Sequence, residues 1–237
     1  MNKKNMRATS NLKMLEFVAR KLEDLNDQVV YLGGCTTALF ITDPLSLDVR
    51  TTKDVDCIVD VASLGHYHQF ENKLMAKGFK RSMEDDVNCR WHYDEMILDV
   101  MPTDKKILHL ENLWFKEAML DVWNYEITDD LIIKSITAPY FLATKIEAFR
   151  TRGNNDFWAS HDFEDIVTVI AGRIEVAEEV ALMNANLKTY LKLAFEEILK
   201  NPQFERVLPS HVEDGAITLQ RVQVVKDRIA KIIKNGE

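Results

Sequence analysis

Three aspartates carry the strongest signal for chemistry in this chain. Asp54 and Asp56 alternate with Val55 and Cys57, and this period-two pattern predicts a strand that presents both carboxylates on one side. Two carboxylates held side by side repel each other, so the pair requires a cation or a shared proton. Mg2+ takes oxygen ligands and leaves coordination positions open for phosphate. The spacing therefore predicts a metal and nucleotide site.

The third aspartate, Asp99, stands inside the apolar run from Met96 to Met101. A buried carboxylate without a partner costs free energy, so this residue needs a charged or polar neighbour. If its strand pairs beside the strand that carries Asp54 and Asp56, three carboxylates meet at one site, which suffices for two Mg2+ ions. The alternatives are a structural ion pair at Asp99 and solvated turn acids at the other two positions.

A pair of glycines, Gly33 and Gly34, precedes the acids. They end a predicted strand from Gln28 to Leu32, and a helix is predicted to begin near Thr36. Glycine allows a phosphate to approach the backbone closely, and the N-terminus of a helix is positively polarised. The pair is therefore a candidate phosphate-binding turn, although turn glycines also occur for purely structural reasons.

The elements around these residues divide the chain into two parts. Further strands are predicted over 55–61, 79–83, 89–93 and 96–101, with a helix over 67–77 and a hairpin over 125–136. Beyond Pro139, helical patterns follow one another to the end of the chain. We therefore predict an α+β fold, with a mixed β-sheet and flanking helices in residues 1–135 and a helical bundle in residues 136–237.

Composition narrows the class of protein. The chain has 237 residues, of which 46% are hydrophobic, and no apolar run approaches the length that spans a bilayer. Its three cysteines match no zinc-binding spacing, which predicts reduced thiols and a cytoplasmic location. A net charge of −8 does not steer the protein towards nucleic acid. A basic stretch between Arg221 and Lys234 is either a solvated helix face or a local nucleic-acid contact.

The ordered set of motifs resembles the DNA polymerase β-like nucleotidyltransferase superfamily. The set consists of the glycine pair, an Asp-x-Asp with apolar flanks, and a third aspartate in a later strand. The stretches GGCTTALF, RTTKDVD and LATKIEAFRTRGNNDFWASHDFEDIVTVI resemble the branch that contains the AbiEii-type toxins. The resemblance covers residues 28–172.

The resemblance implies roles for the acids and for the metal. Asp54 and Asp56 match the metal-binding pair, and Asp99 matches the third carboxylate, which helps to activate the acceptor hydroxyl. The implied cofactor is Mg2+, with two ions bound, and Mn2+ is the alternative.

The resemblance also implies five nucleotide-binding positions, namely Gly33, Gly34, Thr36, Lys145 and Asp165. The glycines match the turn that holds the triphosphate, and Lys145 matches a helical lysine that meets the phosphates. Cys35 stands where the family usually has Ser or Thr, so we favour Thr36 for the phosphate contact. The implied role of Asp165 is to orient Lys145. The alternatives are that Lys145 is a surface lysine and that Asp165 is only an acid favoured near a helix N-terminus.

The implied activity is Mg2+-dependent transfer of a nucleoside monophosphate from an NTP such as ATP to a hydroxyl group. The resemblance favours tRNA or protein as the acceptor and a toxin or phage-defence role, with an antitoxin protein as a partner. Two alternatives stay open: modification of a small molecule of the antibiotic type, and a catalytically idle module that binds a nucleotide or a partner protein.

Overall fold

The chain forms two compact units. The structure is a computed structural model that describes residues 3–44, 48–82, 85, 87–109 and 112–236, with side chains from residue 7 onwards. One unit consists of Met1–Ala38 and Arg50–Thr137, and the other of Leu39–Val49 and Ala138–Glu237. The sequence predicts a single division between residues 135 and 136. The grouping by contacts divides the chain after Thr137 and also places the short segment 39–49 in the helical unit.

A six-stranded mixed sheet forms the first unit. Its strands are β1 (Val29–Leu32), β2 (Asp54–Val59), β3 (Arg90–Tyr93), β4 (Met96–Pro102), β5 (Val122–Thr128) and β6 (Leu131–Ile136). They lie in the order β3-β4-β2-β1-β6-β5. The pairs β2–β4 and β1–β6 are parallel, and the others are antiparallel. All four residues of β1 are buried, as expected of a β-branched, apolar strand in the middle of a sheet.

Helices flank this sheet. They are α1 (Lys3–Leu22), α2 (Leu64–Ala76), α3 (Lys105–Leu108) and α4 (Phe115–Ala118), with 3-10 segments at Glu23–Gln28 and Gly34–Phe40. Helix α1 contacts β2, β4, β5 and β6, and it buries an apolar stripe that includes Leu15, Val18 and Leu22. The hydroxyl of Tyr67 on α2 donates a hydrogen bond to the carbonyl of Val100 on β4 at 2.8 Å. The α+β fold class that the sequence predicts is confirmed.

Two predicted elements differ from the structure. The segment after Gly33 forms a 3-10 helix rather than an α-helix. The strand predicted over 79–83 is reduced, in the part of it that the structure describes, to one bridge between Lys80 and His92. Residue 83 lies outside the described residues.

The second unit is helical. Its helices are α5 (Ala138–Arg150), α6 (His161–Gly172), α7 (Val176–Ala181), α8 (Ala185–Lys200), α9 (Pro202–His211) and α10 (Thr218–Asn235). Several begin at a residue whose side chain caps the first turn, as Ser160 does for α6 by accepting from the Phe163 amide. The segment 39–49 joins this unit because the ring of Phe40 packs on Phe141, with centroids 4.7 Å apart. None of the helices in the described parts of the chain is long and apolar enough to cross a membrane.

Candidate active site

The three predicted acids meet on one face of the sheet. Strands β2 and β4 run parallel as neighbours, and their register places Asp56 directly opposite Asp99. Asp54 lies two residues before Asp56, so its side chain projects from the same face. The strand that carries Asp99 therefore pairs beside the strand that carries Asp54 and Asp56, which is the condition for the three acids to meet. This arrangement concentrates three carboxylates within two neighbouring strands.

We call Asp54, Asp56 and Asp99 the acid cluster. The positively charged guanidinium of Arg90 lies beside it. Its Nε and Nη2 atoms donate to the two carboxylate oxygens of Asp99 at 2.9 and 2.8 Å. Its Nη2 also lies 3.5 Å from Oδ2 of Asp54. The hydrogen bonds that Arg90 donates to Asp99 raise the pKa of Arg90 above its usual value. The guanidinium therefore stays charged and offsets the repulsion between the carboxylates.

The acid cluster fits a hard cation in part. Carboxylate oxygens are the ligands that Mg2+ prefers, and Asp54 and Asp56 share one strand face. However, both oxygens of Asp99 are engaged by Arg90. Within the described ranges, no group of three acid, histidine or cysteine side chains is arranged to hold a metal ion. The residues thus fit a cation at the Asp54–Asp56 pair, with Asp99 held by the guanidinium.

Gly33 lies directly against Asp56. It follows β1, whose last residue, Leu32, is the register partner of Asp56. The backbone of Gly33 has a φ of +76°, and a Cβ built on it would fall 1.9 Å from Oδ2 of Asp56. No L-residue could adopt this position without displacing the carboxylate. The glycine turn and the Asp-x-Asp strand are therefore parts of one site.

Gly34 lies directly against the guanidinium of Arg50. A Cβ built on Gly34 would fall 2.3 Å from Nη2 of Arg50. The segment that carries Arg50 is held by the buried Asn11 on α1, whose Nδ2 donates to the Arg50 carbonyl at 2.9 Å. The Oδ1 of Asn11 accepts from the amide of Thr52 at 3.4 Å. This places a second guanidinium beside the turn that is predicted to bind phosphate.

The three residues after the glycines point their polar atoms inward. The thiol of Cys35 donates to the carbonyl of Asn11 at 3.2 Å, and the hydroxyl of Thr36 donates to the carbonyl of Gly33 at 2.9 Å. Both residues are fully buried. The hydroxyl of Thr37 is buried without a hydrogen-bond partner among the described residues. The predicted phosphate contact by Thr36 stays a prediction, and its hydroxyl is engaged by the turn itself.

All three cysteines are buried, and none of them forms a disulfide bond. Burial raises the pKa of Cys35 to about 12, against a lowering effect of the hydrogen bond with Thr52. Burial likewise raises the pKa of Cys89 to about 12 and that of Cys57 well above its usual value. These thiols are therefore protonated at neutral pH, and they do not act as nucleophiles in the folded protein.

The two predicted site residues of the helical unit contact each other. Lys145 on α5 places its Nζ 2.6 Å from Oδ2 of Asp165 and 2.9 Å from Oδ1 of Asp162, both on α6. Arg152 forks onto the same Asp162, from Nε to Oδ2 at 2.9 Å and from Nη2 to Oδ1 at 2.8 Å. The side chain of Lys145 is only 4% exposed. It is thus a buried lysine rather than a surface one, and its proposed contact with phosphates stays a prediction.

The charges in this buried network stabilise each other. Burial lowers the pKa of Lys145, but attraction by Asp165 and Asp162 outweighs it, so the pKa lies above its ordinary value. Burial raises the pKa of Asp162, yet the hydrogen bond from Arg152 and the charge of Lys145 bring it below the usual range. Asp162 lies in the first turn of α6, where an acidic residue is favoured. The structure adds that it binds two cations.

The basic stretch of α10 is engaged within the helical unit. Arg221 is buried and donates to Asp214 at 2.8 Å. Arg228 donates to the carbonyls of Ile170 and Ala171 at the end of α6, at 2.8 and 2.6 Å. These contacts satisfy carbonyls that a helix end leaves without partners. Two of the cations in this stretch are therefore not part of a purely solvated face.

Sequence reasoning missed Arg90, although a signal for it was present. The predicted strands on either side of Asp94–Glu95 leave a two-residue turn, which sets the register of an antiparallel hairpin. In the structure, Tyr93 pairs with Met96, and Arg90 consequently pairs with Asp99. Counting outward from the turn would have placed the arginine opposite the lone buried acid.

Known structures share this fold. A crystal structure of an antigenic nucleotidyltransferase-like protein from Paracoccidioides brasiliensis superposes with a TM-score of 0.53 and 18% identity, over 86% of this chain and 93% of that chain. The crystal structure of JHP933 from Helicobacter pylori gives a TM-score of 0.52 and 11% identity, over 98% of this chain and 94% of that chain. At these identities the likeness shows the fold alone, which this chain shares with the two proteins.

Sequence comparison adds no closer assignment. No protein-family model matches the chain, and no curated protein matches it either.

Proposed function

We propose that this protein is a nucleotidyltransferase that moves a nucleoside monophosphate from an NTP to a hydroxyl acceptor. The observation that carries the proposal is the register of Asp56 opposite Asp99, with the Gly33 turn packed on Asp56. The carboxylates therefore lie next to a glycine turn whose backbone a phosphate group can approach closely. The nucleotidyltransferase-like fold of the chain supports it.

The step itself needs three groups held in line. An acceptor oxygen forms a bond to the α-phosphorus, the bond from that phosphorus to the bridging oxygen breaks, and pyrophosphate leaves. Asp99 is the group that we propose to accept the hydroxyl proton. Asp54 and Asp56 would hold a divalent cation, which would supply positive charge to offset the negative charge that develops on the reacting oxygens. Arg50, which lies beside Gly34, is the group that we propose to offset charge on the departing pyrophosphate.

The finer assignments belong to the same proposal. We propose Mg2+ as the working cation, with Mn2+ as its substitute, and ATP as the first NTP to test. We propose tRNA or protein as the acceptor, membership of the AbiEii-like branch, and a toxin or phage-defence role in the cytoplasm with an antitoxin as partner. Resemblance in GGCTTALF and in the α5–α6 stretch supports these assignments. A small hydroxylated cation is the alternative acceptor, which the net charge of −8 favours.

The test is a labelling experiment with the full chain. Each of the four NTPs, labelled at the α-phosphate, is incubated with the protein, Mg2+ and either total RNA, cell protein or a panel of aminoglycosides. The proposal expects label in one acceptor class, release of pyrophosphate, and loss of both on addition of EDTA. Label that persists in EDTA, or the absence of label and pyrophosphate with every NTP and acceptor class, overturns it.

A second candidate is a module that binds a nucleotide without transferring it. The fork from Arg90 to Asp99 favours this reading, because it occupies the acid that would activate the acceptor. The two functions differ in one measurement. The idle module would bind NTP, as seen by calorimetry, while releasing no pyrophosphate with any acceptor.

A further inference from the structure

The acid cluster contains its own counter-ion. Arg90 and Asp99 are register partners on neighbouring antiparallel strands, so the hairpin itself delivers the guanidinium to the third carboxylate. The fork uses two parallel hydrogen bonds of 2.9 and 2.8 Å, which is the geometry in which arginine binds carboxylate most specifically. The contact is thus part of the sheet and not an incidental surface pair.

The surroundings favour a persistent contact. The side chain of Asp99 is 9% exposed and that of Arg90 is 23% exposed, whereas that of Asp54 is 36% exposed. An ion pair that is shielded from water is screened less by salt than an exposed one. Separating the two side chains would leave both charges poorly solvated, and this cost disfavours spontaneous opening of the fork.

The same guanidinium reaches towards the predicted metal ligands. Its Nη2 lies 2.8 Å from Oδ2 of Asp99 and 3.5 Å from Oδ2 of Asp54. A divalent cation that bound Asp99 together with Asp54 would have to sit beside this positive charge. Like charges at such short range repel strongly where water is partly excluded. Arg90 and a divalent cation therefore compete for the same carboxylate.

We propose that Arg90 is a built-in counter-ion that excludes divalent cations from Asp99, so that cation binding in this protein depends on Asp54 and Asp56. The inference rests on the proposed function, since it concerns the cation of that site. Asp99 is then a carboxylate that the guanidinium orients, available to accept a proton, and is not a metal ligand. This differs from the three-carboxylate, two-cation arrangement that the sequence predicts.

The test measures cation binding and not activity. Mn2+ is titrated into the nucleotide-free full chain, with free Mn2+ followed by electron paramagnetic resonance and Mg2+ binding followed by calorimetry. Removal of one neighbouring charge commonly shifts an ionic equilibrium by a factor of about ten or more. Arg90→Gln should therefore bind the cation at least about tenfold more tightly than the wild type. Arg20→Gln, which removes an exposed arginine that binds Asp130, is the matched control and should leave the affinity unchanged.

A double variant keeps the test decisive if Arg90→Gln does not fold. Arg90→Gln with Asp99→Asn removes both charges of the fork and leaves neither one uncompensated. It should bind the cation about as tightly as the wild type, without the gain of the single variant. A double variant weaker than the wild type would show that Asp99 is a ligand and overturn the proposal. One as tight as a folded Arg90→Gln would overturn it too, because the gain would not depend on Asp99.

The remaining outcomes are equally informative. An Arg90→Gln affinity equal to or below that of the wild type contradicts the proposal, and so does the absence of cation binding in every variant. The titration contains no NTP or acceptor. A protein that titrates as expected but transfers no nucleotide would therefore refute the proposed function alone.

Discussion

The Cα of Gly33 lies so close to the Asp56 carboxylate that a Cβ on Gly33 would fall 1.9 Å from Oδ2. This contact links the turn after β1 to the Asp-x-Asp strand β2, and it makes glycine a requirement at position 33. The positive φ of +76° at the same residue adds a second, independent reason for glycine.

Gly33→Ala should lower the stability of the protein. The substitution imposes a left-handed conformation on a residue with a side chain, and the new methyl group collides with Asp56. Strain of this kind costs about 1–3 kcal/mol of unfolding free energy. Urea unfolding followed by circular dichroism measures it.

Gly65→Ala is the control for this change. Gly65 lies in the first turn of α2, and the nearest atom to its Cβ position is Oγ of Ser63 at 3.7 Å. Alanine in a helix is about 0.5–1 kcal/mol more favourable than glycine, so this variant should be neutral or more stable. Equal destabilisation by both substitutions would contradict the contact between Gly33 and Asp56.

Alkaline conditions should weaken the fold through its thiols. The folded pKa values of Cys35 and Cys89 are about 12, above the unfolded value of 9.0. The stability that this difference provides is fully present below pH 9 and is lost as pH rises towards 12. Each thiol contributes a slope of up to ~1.4 kcal/mol per pH unit in that window. Unfolding free energies at pH 8, 8.5 and 9 measure the onset of this slope, because most tyrosines of the unfolded chain, with an ordinary pKa of 10.0, are still protonated there.

Cys35→Ala with Cys89→Ala should flatten this slope. The thiols should also resist a disulfide reagent at pH 8 in the folded state and react after unfolding, since all three cysteines are buried. A slope that is unchanged in the double variant would show that other groups control the alkaline transition.

Lys145→Met should destabilise the helical unit. It leaves the carboxylates of Asp162 and Asp165 buried without their shared ammonium, which lies 2.9 and 2.6 Å from them. Breaking a buried ion pair on one side typically costs about 3–5 kcal/mol. Lys145→Met combined with Asp165→Asn should recover part of that loss, because it removes the buried negative charge that had faced the ammonium at 2.6 Å. Thermal unfolding of the three proteins measures the difference.

Acid should weaken the fold through the buried network of Lys145, Asp162 and Arg152. The folded pKa of Asp162 lies below the unfolded value of 3.8, because of Arg152 and Lys145. Its contribution is therefore present above about pH 4 and is lost as pH falls through the folded value. Asp162→Asn should be less stable at pH 7 and should lose less stability between pH 5 and pH 3. An identical loss in both proteins would place the acid sensitivity elsewhere.

Arg50→Gln should weaken NTP binding with little effect on stability. The loss of a charge-assisted contact to phosphate costs about a factor of ten in affinity. Calorimetry with a non-hydrolysable NTP measures it, and Arg20→Gln serves as the control for a lost positive charge. Unchanged affinity in Arg50→Gln would remove this arginine from the proposed site.

Local patterns predict which acids share one strand face, whereas pairing across the chain decides which strands become neighbours. The alternation at Asp54–Cys57 fixes which side chains share a face, because strand geometry has a period of two. The adjacency of β2 and β4 follows from no local pattern, so the sequence predicts the meeting of the three acids only on the condition that these strands pair. The structure meets that condition through the register of Asp56 with Asp99.

Contacts between residues that are far apart in the sequence could not be predicted from local patterns. Asn11 holds the Arg50–Thr52 segment across about forty residues of chain, and nothing in the α1 sequence marks it as more than a polar helix residue. Lys145 has an apolar surrounding sequence in α5, but its burial depends on two acids that the next helix presents. Such contacts depend on tertiary packing, which single-sequence periodicity does not encode.

The most direct test of the proposed nucleotidyl transfer is the initial rate of label transfer by the wild type, Asp56→Asn and Asp60→Asn. Asp56→Asn keeps the shape that packs on Gly33 and removes the charge at the centre of the acid cluster. Asp60 lies just beyond the end of β2 and accepts from Thr103 at 2.6 Å, which makes it a matched acid outside the cluster. We predict that Asp56→Asn loses at least about a hundredfold in rate, with unchanged circular dichroism, and that Asp60→Asn stays within about twofold of the wild type. Transfer by Asp56→Asn at the wild-type rate would contradict the proposal.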